Sequence, residues 1–406
     1  MNAEFFAGSS GCSFGKCKRK CEIVKGKEQG NMEERKYIKS FDSLKGIVVL
    51  LTCTIGHYWQ FTPAGYWCEG KNAWFTALTN AVTHFSFKRT FTLMELLLMI
   101  SGFQLFYQYE KIAENRIGFG NYIKKRMVRL FPMTILSTVV MVAGLWYYHS
   151  LTGELWYKTE IKAGYIIENL LNIQVWGKSF HTLNGPLWYV SVYFFCCILY
   201  FVLVKLGEKL KVKYFIMAVP VVLAILLKGK GLNIVLLNAD MCRGYIGFFA
   251  GVLVAGIVKH AEKKKLCYFS LALLAGYVVF YSVCKEFIYA GPVLNKVLPA
   301  VLFFYAPLLI LLSQNRVVDG IVGNKVLAGL GKISYSLYVW NFPFYVWLAA
   351  IENRFQLHIP YGEAYMYWLM AIAQILLAAC SYLWIEKPIY KCVAAVGCRK
   401  EHKRSA

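Results

Sequence analysis

Long apolar runs separated by short polar segments recur along almost the whole chain. A run of about 20 residues is long enough to cross the hydrocarbon core of a bilayer, which is roughly 30 Å thick. The pattern therefore predicts an all-α, polytopic integral membrane protein with about ten transmembrane helices. They are expected near residues 43–60, 91–108, 131–149, 186–205, 212–228, 242–258, 266–284, 297–313, 332–350 and 365–386.

Composition supports a single membrane domain. Of the 406 residues, 58% are hydrophobic and only 17% are charged, which is far more apolar than a soluble chain of this length. In the first 31 residues, basic residues alternate with Gly, Ser and the cysteines Cys12, Cys17 and Cys21, and there is no apolar periodicity. Those cysteines lack a fourth ligand at finger-like spacing, so we expect no metal site. We predict a basic, disordered tail over 1–37, a transmembrane domain over 38–390 and a second basic tail over 391–406.

The formal net charge of +23 is distributed unevenly between the two sides of the predicted bundle. If the amino terminus is cytoplasmic, about 33 basic residues fall in the tails and inner loops and about 12 on the opposite side. This asymmetry predicts that both termini are cytoplasmic. Because the positive charge is spread over short loops and not gathered on one folded face, it argues against nucleic-acid binding.

The first apolar run contains one histidine, His57, and a lysine, Lys45, twelve positions before it. An ionisable group at membrane depth is costly and is by default a candidate functional residue. Twelve residues of helix rise about 18 Å, so a lysine at the cytoplasmic mouth places His57 beyond the middle of the bilayer. A neutral imidazole there can accept a proton from an alcohol. The alternative is a structural histidine at headgroup level beside Tyr58 and Trp59.

The second run brings a carboxylate, Glu95, with no charged residue among its near neighbours. It can orient a histidine tautomer, as a carboxylate does in a catalytic triad, or it can hydrogen-bond between helices. Arg243 opens a later helix from the outer side, where a cation is unusual in this charge pattern, and it can meet Glu95 or an anionic substrate. Ser101 and Gly102 are small enough to allow close helix packing.

Arg126 and Arg129 share one face of the third predicted helix near the cytoplasmic surface. Paired guanidinium groups suit bidentate phosphate binding, such as the phosphates of a nucleotide thioester. The alternative is a positive-inside cluster held by lipid headgroups.

Further aromatic and polar residues stand near the ends of later helices. Trp188 and Tyr189 follow Asn184-Gly185-Pro186-Leu187 and suit either the membrane interface or stacking on a sugar ring. Tyr335 belongs to a run of hydroxyl-bearing residues that precedes Pro343, and that proline is expected to kink its helix and free a backbone carbonyl.

In order along the chain, these segments resemble the acyltransferase 3 family of polytopic membrane acyltransferases. Each match is weak singly, but together they cover about residues 38 to 390. The matching segments are Phe41-Asp42-Ser43-Leu44-Lys45-Gly46 with His57, Glu95 with Ser101-Gly102-Phe103, Lys125-Arg126 with Arg129-Leu130-Phe131-Pro132, Leu187-Trp188-Tyr189, Gly331-Lys332-Ile333-Ser334-Tyr335-Ser336-Leu337-Tyr338 and Glu386-Lys387-Pro388.

The resemblance implies transfer of an acyl group, most often acetyl, from cytoplasmic acyl-coenzyme A to a hydroxyl of a carbohydrate or similar acceptor across the membrane. Acyl-coenzyme A is then a co-substrate, and we expect no permanently bound cofactor. His57 and Glu95 become the catalytic candidates, with His57 either deprotonating the hydroxyl or transiently holding the acyl group. The remaining candidates are Lys45, Arg126 and Arg129 for the donor, and Trp188, Tyr189, Arg243 and Tyr335 for the acceptor.

Two departures from the family pattern concern the histidine. The family usually has arginine where Lys45 stands and histidine eleven residues later, a step that here falls on Gly56. Twelve residues place His57 about 120° from Lys45 around a regular helix, and a π-bulge near Thr52 or Thr54 would restore the register. Asn341 stands where many relatives have histidine, so His57 is expected to act alone as the base.

Two other functions remain open at this stage. One is a transporter of a sugar or lipid-linked intermediate that uses His57 and Glu95 as a proton relay, although no internal repeat is evident. The other is an acyltransferase-like membrane protein without catalysis. The enzyme hypothesis predicts a multi-pass protein of the plasma membrane, whose partners are membrane lipid, acyl-coenzyme A and a carbohydrate acceptor.

Overall fold

The computed structural model describes residues 38–61, 68–87, 92–178, 181–229, 233–290 and 293–390. Both predicted tails, 1–37 and 391–406, lie outside these residues. Within them the fold is all-helical, as predicted, and the one β-type pairing is an isolated bridge between Glu69 and Glu363.

Sixteen α-helices make up most of the described chain. Those of the first half are α1 (Lys39–Leu51), α2 (His57–Phe61), α3 (Ala73–Phe87), α4 (Leu93–Phe106), α5 (Tyr109–Ala113), α6 (Phe119–Thr152), α7 (Ala163–Leu170) and α8 (Trp188–Lys209). Those of the second half are α9 (Ala218–Gly229), α10 (Ala239–His260), α11 (Lys263–Ala290), α12 (Val293–Pro299), α13 (Ala306–Gln314), α14 (Arg316–Val322), α15 (Lys325–Phe355) and α16 (Ala364–Ser381).

Short π and 3-10 segments connect or extend several of these helices. Three are π-helical: Thr52–Gly56 between α1 and α2, Ala300–Tyr305 between α12 and α13, and Tyr382–Glu386 after α16. Three are 3-10 helices: Trp156–Lys158, Gly185–Leu187 and Lys213–Met217.

Within the described residues, six helical segments are long and apolar enough to cross a membrane. They are Phe119–Thr152, Gly185–Lys209, Ala239–His260, Lys263–Cys284, Lys296–Gln314 and Ala364–Tyr390. Two shorter apolar helices, Leu93–Phe106 and Lys213–Leu227, coincide with two more of the predicted windows. Windows 43–60 and 332–350 are helical but carry more polar residues and are not among these segments. The predicted count of about ten spans is therefore not confirmed, whereas the multi-pass character is.

Two close helix contacts organise the core around the polar residues. A Cβ added at Gly102 of α4 would collide with the Phe248 backbone of α10, so only glycine permits this approach. The predicted packing role of Gly102 is confirmed. In the second contact, Gly331 of α15 lies against the backbone of Asp42 in α1. These contacts bring α1 beside α15 and α4 beside α10.

Helix α15 runs without a break through Pro343. Proline has no N–H, so the carbonyl of Val339, four residues earlier, loses its helical donor. The Asn184 side chain donates to that carbonyl at 2.9 Å. The predicted freed carbonyl is thus present, and it anchors the segment before α8 onto α15.

Candidate active site

The π-helical turn predicted between Lys45 and His57 is present. It spans Thr52–Gly56 and directly precedes His57. The hydroxyl of Thr52 donates to the Val48 carbonyl at 2.9 Å, and that of Thr54 donates to the Leu50 carbonyl at 2.7 Å. Hydroxyls that bond back to the preceding turn stabilise the widened backbone there, as the twelve-residue spacing predicted.

The imidazole of His57 is held by Asn341 of α15. Nδ1 of His57 contacts the amide oxygen of Asn341 in a short hydrogen bond. The amide nitrogen of Asn341 donates to the Cys53 carbonyl at 3.2 Å and to Oε1 of Gln374 at 2.6 Å. Because a backbone carbonyl only accepts, the NH₂ group must face Cys53 and the oxygen must face His57.

That orientation determines which nitrogen of His57 is free for chemistry. The Asn341 oxygen only accepts, so Nδ1 must carry the proton that it receives. In the neutral imidazole Nε2 then has the unshared electron pair. The network continues through Gln374, whose amide donates to the Tyr345 hydroxyl at 3.0 Å. The lone pair of His57 therefore lies on Nε2, and contacts with neighbouring helices fix this tautomer.

A cavity of about 550 Å³ opens beside His57. Its volume is within the range of small-molecule sites. The edge of the Phe342 ring packs against the imidazole with ring centroids 5.0 Å apart. The described wall combines hydroxyl, amide, carboxylate and aromatic groups: His57, Gln60, Tyr157, Thr159, Glu160, Tyr165, His181, Thr182, Leu183, Gly185, Pro186, Trp188 and Phe342.

Glu95 binds Arg243, a pairing that the sequence analysis left open. The carboxylate is fully buried, and its Oε1 is 2.6 Å from Nε of Arg243 while Oε2 is 3.3 Å from Nη2. The close packing of α4 against α10 places the two groups together. Since Asn341 occupies Nδ1 of His57, the structure supports the alternative in which Glu95 bonds between helices.

Arg243 connects this ion pair to the cavity wall. Its guanidinium carbon lies 4.8 Å from the centroid of the Trp188 ring, and Trp188 lines the cavity. A cation over an indole face stabilises both groups and restricts the ring. The Glu95–Arg243 pair therefore restrains the Trp188 ring on the side that faces away from the cavity.

Two further predicted acceptor residues lie elsewhere. The Tyr189 hydroxyl is 3.4 Å from the Ser101 hydroxyl, and the Tyr335 hydroxyl donates to the Leu130 carbonyl at 2.6 Å. The described wall of the His57 cavity includes neither tyrosine. Tyr189 instead stacks parallel to Tyr193, one turn further along α8, with ring centroids 6.3 Å apart.

The predicted donor residues divide into two environments. Lys45 donates to Gln104 at 2.8 Å and lies near enough to Arg129 for their charges to interact. The Arg129 side chain is exposed and also lies near Tyr193. Lys45 also pairs with Asp42 at 3.4 Å, and Glu386 lies near Arg129, so the two cations belong to a polar region of mixed charge away from the cavity.

The Arg126 side chain is buried and contacts other residues of the protein. Its side chain donates to the Tyr122 carbonyl at 2.8 Å and to Oε1 of Gln108 at 3.1 Å, and its guanidinium carbon lies 3.5 Å from the centroid of the Tyr122 ring. Only 8% of the residue is exposed. Arg126 is therefore buried and Arg129 exposed, although both lie near Tyr193.

Several site residues were not predicted from the sequence. Gln374 and the histidine-orienting role of Asn341 depend on how α15 and α16 pack beside α1. His181, Tyr165 and Tyr157 line the cavity from the segment between α6 and α8, which lies outside the predicted transmembrane windows. A histidine close to aromatic residues in an outer loop was the available signal.

The long apolar helices and the buried histidine network define a multi-pass membrane protein with a polar site inside its helical bundle. The acyltransferase domain of the acyltransferase 3 family matches residues 38–385, nearly the whole described chain. The protein belongs to this family and is a membrane acyltransferase. No curated protein and no solved structure matches the sequence.

Proposed function

We propose that this membrane acyltransferase moves an acetyl group from acyl-coenzyme A to a hydroxyl of a carbohydrate acceptor. One observation chiefly supports the proposal: the imidazole of His57 lines a cavity of about 550 Å³ while Asn341 holds its Nδ1. This arrangement leaves Nε2 available to a hydroxyl inside the cavity. A general base poised in this way is what O-acyl transfer needs.

In the proposed reaction His57 carries one proton from the acceptor hydroxyl to the sulfur of coenzyme A. His57 accepts the proton of the acceptor hydroxyl through Nε2 as the hydroxyl oxygen bonds to the thioester carbonyl carbon. The carbon–sulfur bond then breaks, and the imidazolium gives the proton to the departing sulfur. The products are the acyl ester and free coenzyme A, and His57 is neutral again.

On the donor side, we assign phosphate binding to Lys45 and Arg129. Both are cations of the polar region away from the cavity, and charge-assisted contacts suit phosphate oxygens. Tyr193 lies near Arg129, stacks on Tyr189 and so continues along α8 toward Trp188 at the cavity. We assign the course of the extended thioester arm to this line of aromatic side chains.

The proposed orientation follows the distribution of basic residues. We place both termini and the Lys45 end in the cytoplasm, and the His57 cavity toward the outer face of the plasma membrane. The donor then enters from the cytoplasm and the acceptor from outside. Membrane lipid surrounds the apolar helices, and the protein holds no permanent cofactor.

The test is acyl transfer by purified protein in liposomes with labelled acetyl-coenzyme A. Wild-type protein should release free coenzyme A when acceptor is present. His57→Ala should lower this rate by about 10²–10⁴-fold, the usual effect of losing a general acid–base group. His149→Ala is the matched control, since His149 is exposed at the far end of α6 and does not line the cavity. Wild-type protein that neither releases coenzyme A nor becomes labelled would favour the transporter or a non-catalytic function.

A further inference from the structure

A second histidine faces the same cavity from the segment between α6 and α8. The His181 ring stacks on Tyr165 with ring centroids 4.1 Å apart and planes inclined by 16°. Its Nδ1 lies 3.0 Å from Oε2 of Glu168. His181 and Tyr165 both line the cavity, whereas Glu168 stands behind them. The imidazole is thus fixed by stacking and by a carboxylate, with its second nitrogen not engaged by Glu168.

The backbone around His181 is held in place by a buried amide. Asn169 is fully buried in α7, and its NH₂ group donates to the carbonyls of Tyr165 and His181, each at 2.7 Å. Its amide oxygen accepts from the Leu183 N–H at 3.1 Å. The Asn169 side chain therefore links α7 by hydrogen bonds to the segment that carries His181. This geometry makes the wall preorganised, which favours specific binding.

We propose that His181 is an acceptor-binding residue that hydrogen-bonds a hydroxyl of a neutral sugar ring other than the hydroxyl that is acylated. The inference rests on the proposed function, since it names the acceptor of the same site. Because Glu168 accepts from Nδ1, the nitrogen left for the ligand is Nε2. A hydroxyl is a suitable partner for Nε2 in either state of the ring, since it both donates and accepts.

The rest of the wall favours a neutral, hydroxyl-rich ring. Trp188 offers an aromatic face, and Thr159 and Thr182 offer hydroxyls. Within the described residues, the charged groups near this wall have partners: Glu160 pairs with Lys162 at 2.5 Å, His181 bonds to Glu168 at 3.0 Å, and Arg243 behind Trp188 pairs with Glu95 at 2.6 Å. A carboxylate on the acceptor would have to displace one of these partners, so a neutral ring is favoured.

The test compares soluble probe acceptors with purified wild-type protein and labelled acetyl-coenzyme A. The probes are methyl β-glucopyranoside, triacetylchitotriose, methyl β-glucuronide and octanol. Wild-type protein should acetylate the neutral sugars faster than the glucuronide and octanol. His181→Phe keeps a ring to stack on Tyr165 but loses both nitrogens, and His149→Phe is its matched control.

His181→Phe should raise the acceptor concentration for half-maximal rate by about fivefold to tenfold, as expected for one lost hydrogen bond. The donor concentration for half-maximal rate should stay near that of wild-type protein. His181→Gln, which retains a hydrogen-bonding side chain, should partly restore acceptor affinity. If His181 had a purely structural role, its replacement would not raise the acceptor concentration for half-maximal rate selectively over that of the donor.

The outcomes distinguish the two proposals. If wild-type protein acetylates a neutral sugar and His181→Phe leaves its acceptor dependence unchanged, the inference about His181 is wrong and the proposed function stands. If octanol or the glucuronide is preferred, or if acetyl-coenzyme A is hydrolysed but no neutral sugar is acetylated, the proposed acceptor class is wrong. If wild-type protein consumes no acetyl-coenzyme A, the proposed function itself fails.

Discussion

The amide oxygen of Asn341 accepts a hydrogen bond from Nδ1 of His57, and this contact fixes the histidine tautomer across two helices. Catalytic triads place a carboxylate at the same position, where it also stabilises the imidazolium. A neutral amide orients the ring without supplying that charge. Asn341 therefore orients the neutral imidazole of His57, although its amide cannot itself accept a proton.

Removing this contact should impair turnover more than donor binding. Asn341→Leu retains the approximate volume but leaves Nδ1 of His57 without its acceptor. We expect a rate lowered by roughly 10–100-fold, the usual effect of losing the partner that orients a functional histidine. The donor concentration for half-maximal rate should change little. The measurement is a pair of saturation curves for acetyl-coenzyme A.

Gln374→Leu provides the graded control for Asn341→Leu. It removes one of the two acceptors of the Asn341 NH₂ group, while the Cys53 carbonyl still holds the amide in the same orientation. Its loss of activity should therefore be smaller. If Asn341→Leu turns over at the wild-type rate, the tautomer of His57 does not depend on this amide.

The two arginines of α6 should separate in function. Arg129→Gln should weaken donor binding by about 1.5–3 kcal/mol, because one charge-assisted phosphate contact is lost. Arg126→Gln should leave donor affinity nearly unchanged and lower the melting temperature, since Arg126 is buried against Tyr122 and Gln108. Titration with acetyl-coenzyme A and thermal unfolding in detergent measure the two effects. An equal loss of acetyl-coenzyme A affinity in both variants would instead support the prediction from the sequence that Arg126 and Arg129 bind the donor phosphates together.

The sequence predicted those features of the site that depend on local geometry. The step from Lys45 to His57 implied a π-turn, and the missing N–H of Pro343 implied a freed carbonyl; both are present. Gly102 marked a close helix contact.

Features that depend on which helices are neighbours were harder to predict. The Asn341 and Gln374 contacts join residues far apart in the chain, and Glu95 could equally have faced a histidine or an arginine. Periodicity identifies the buried face of a helix but not the helix opposite it. The cavity wall between α6 and α8 lies outside the predicted transmembrane windows, so its place beside His57 was not predicted.

The ion pair between Glu95 and Arg243 predicts a stability effect that can be separated from catalysis. Glu95→Leu removes the nearer carboxylate from the largely buried Arg243 guanidinium and leaves Asp240 at 3.7 Å, so we expect a loss of up to about 3–5 kcal/mol, the cost of breaking a buried pair. Replacing both residues, as Glu95→Leu with Arg243→Met, removes both charges of the closest pair and should recover much of that loss. Free energies of unfolding of Glu95→Leu, Arg243→Met and the double variant form the required cycle.

If the double variant is destabilised by the sum of the two single losses, the two charges do not interact. The double variant also tests whether Arg243 restrains Trp188, whose ring lies 4.8 Å from the guanidinium carbon. If the double variant is stable but needs a higher acceptor concentration for half-maximal rate, that role of Arg243 is supported.

The proposed orientation predicts which face of the protein is accessible from outside the cell. On a background without native cysteines, Glu160→Cys should react with a membrane-impermeant thiol reagent added to intact cells, and Gly118→Cys should not. Both sites tolerate the change: the Glu160 side chain is 54% exposed, and a Cβ at Gly118 meets nothing within 4 Å. Permeabilised cells are the control, because both cysteines should then be labelled. The reverse pattern in intact cells would place the His57 cavity toward the cytoplasm. The donor would then have to enter from outside and the acceptor from the cytoplasm, the reverse of the proposed arrangement.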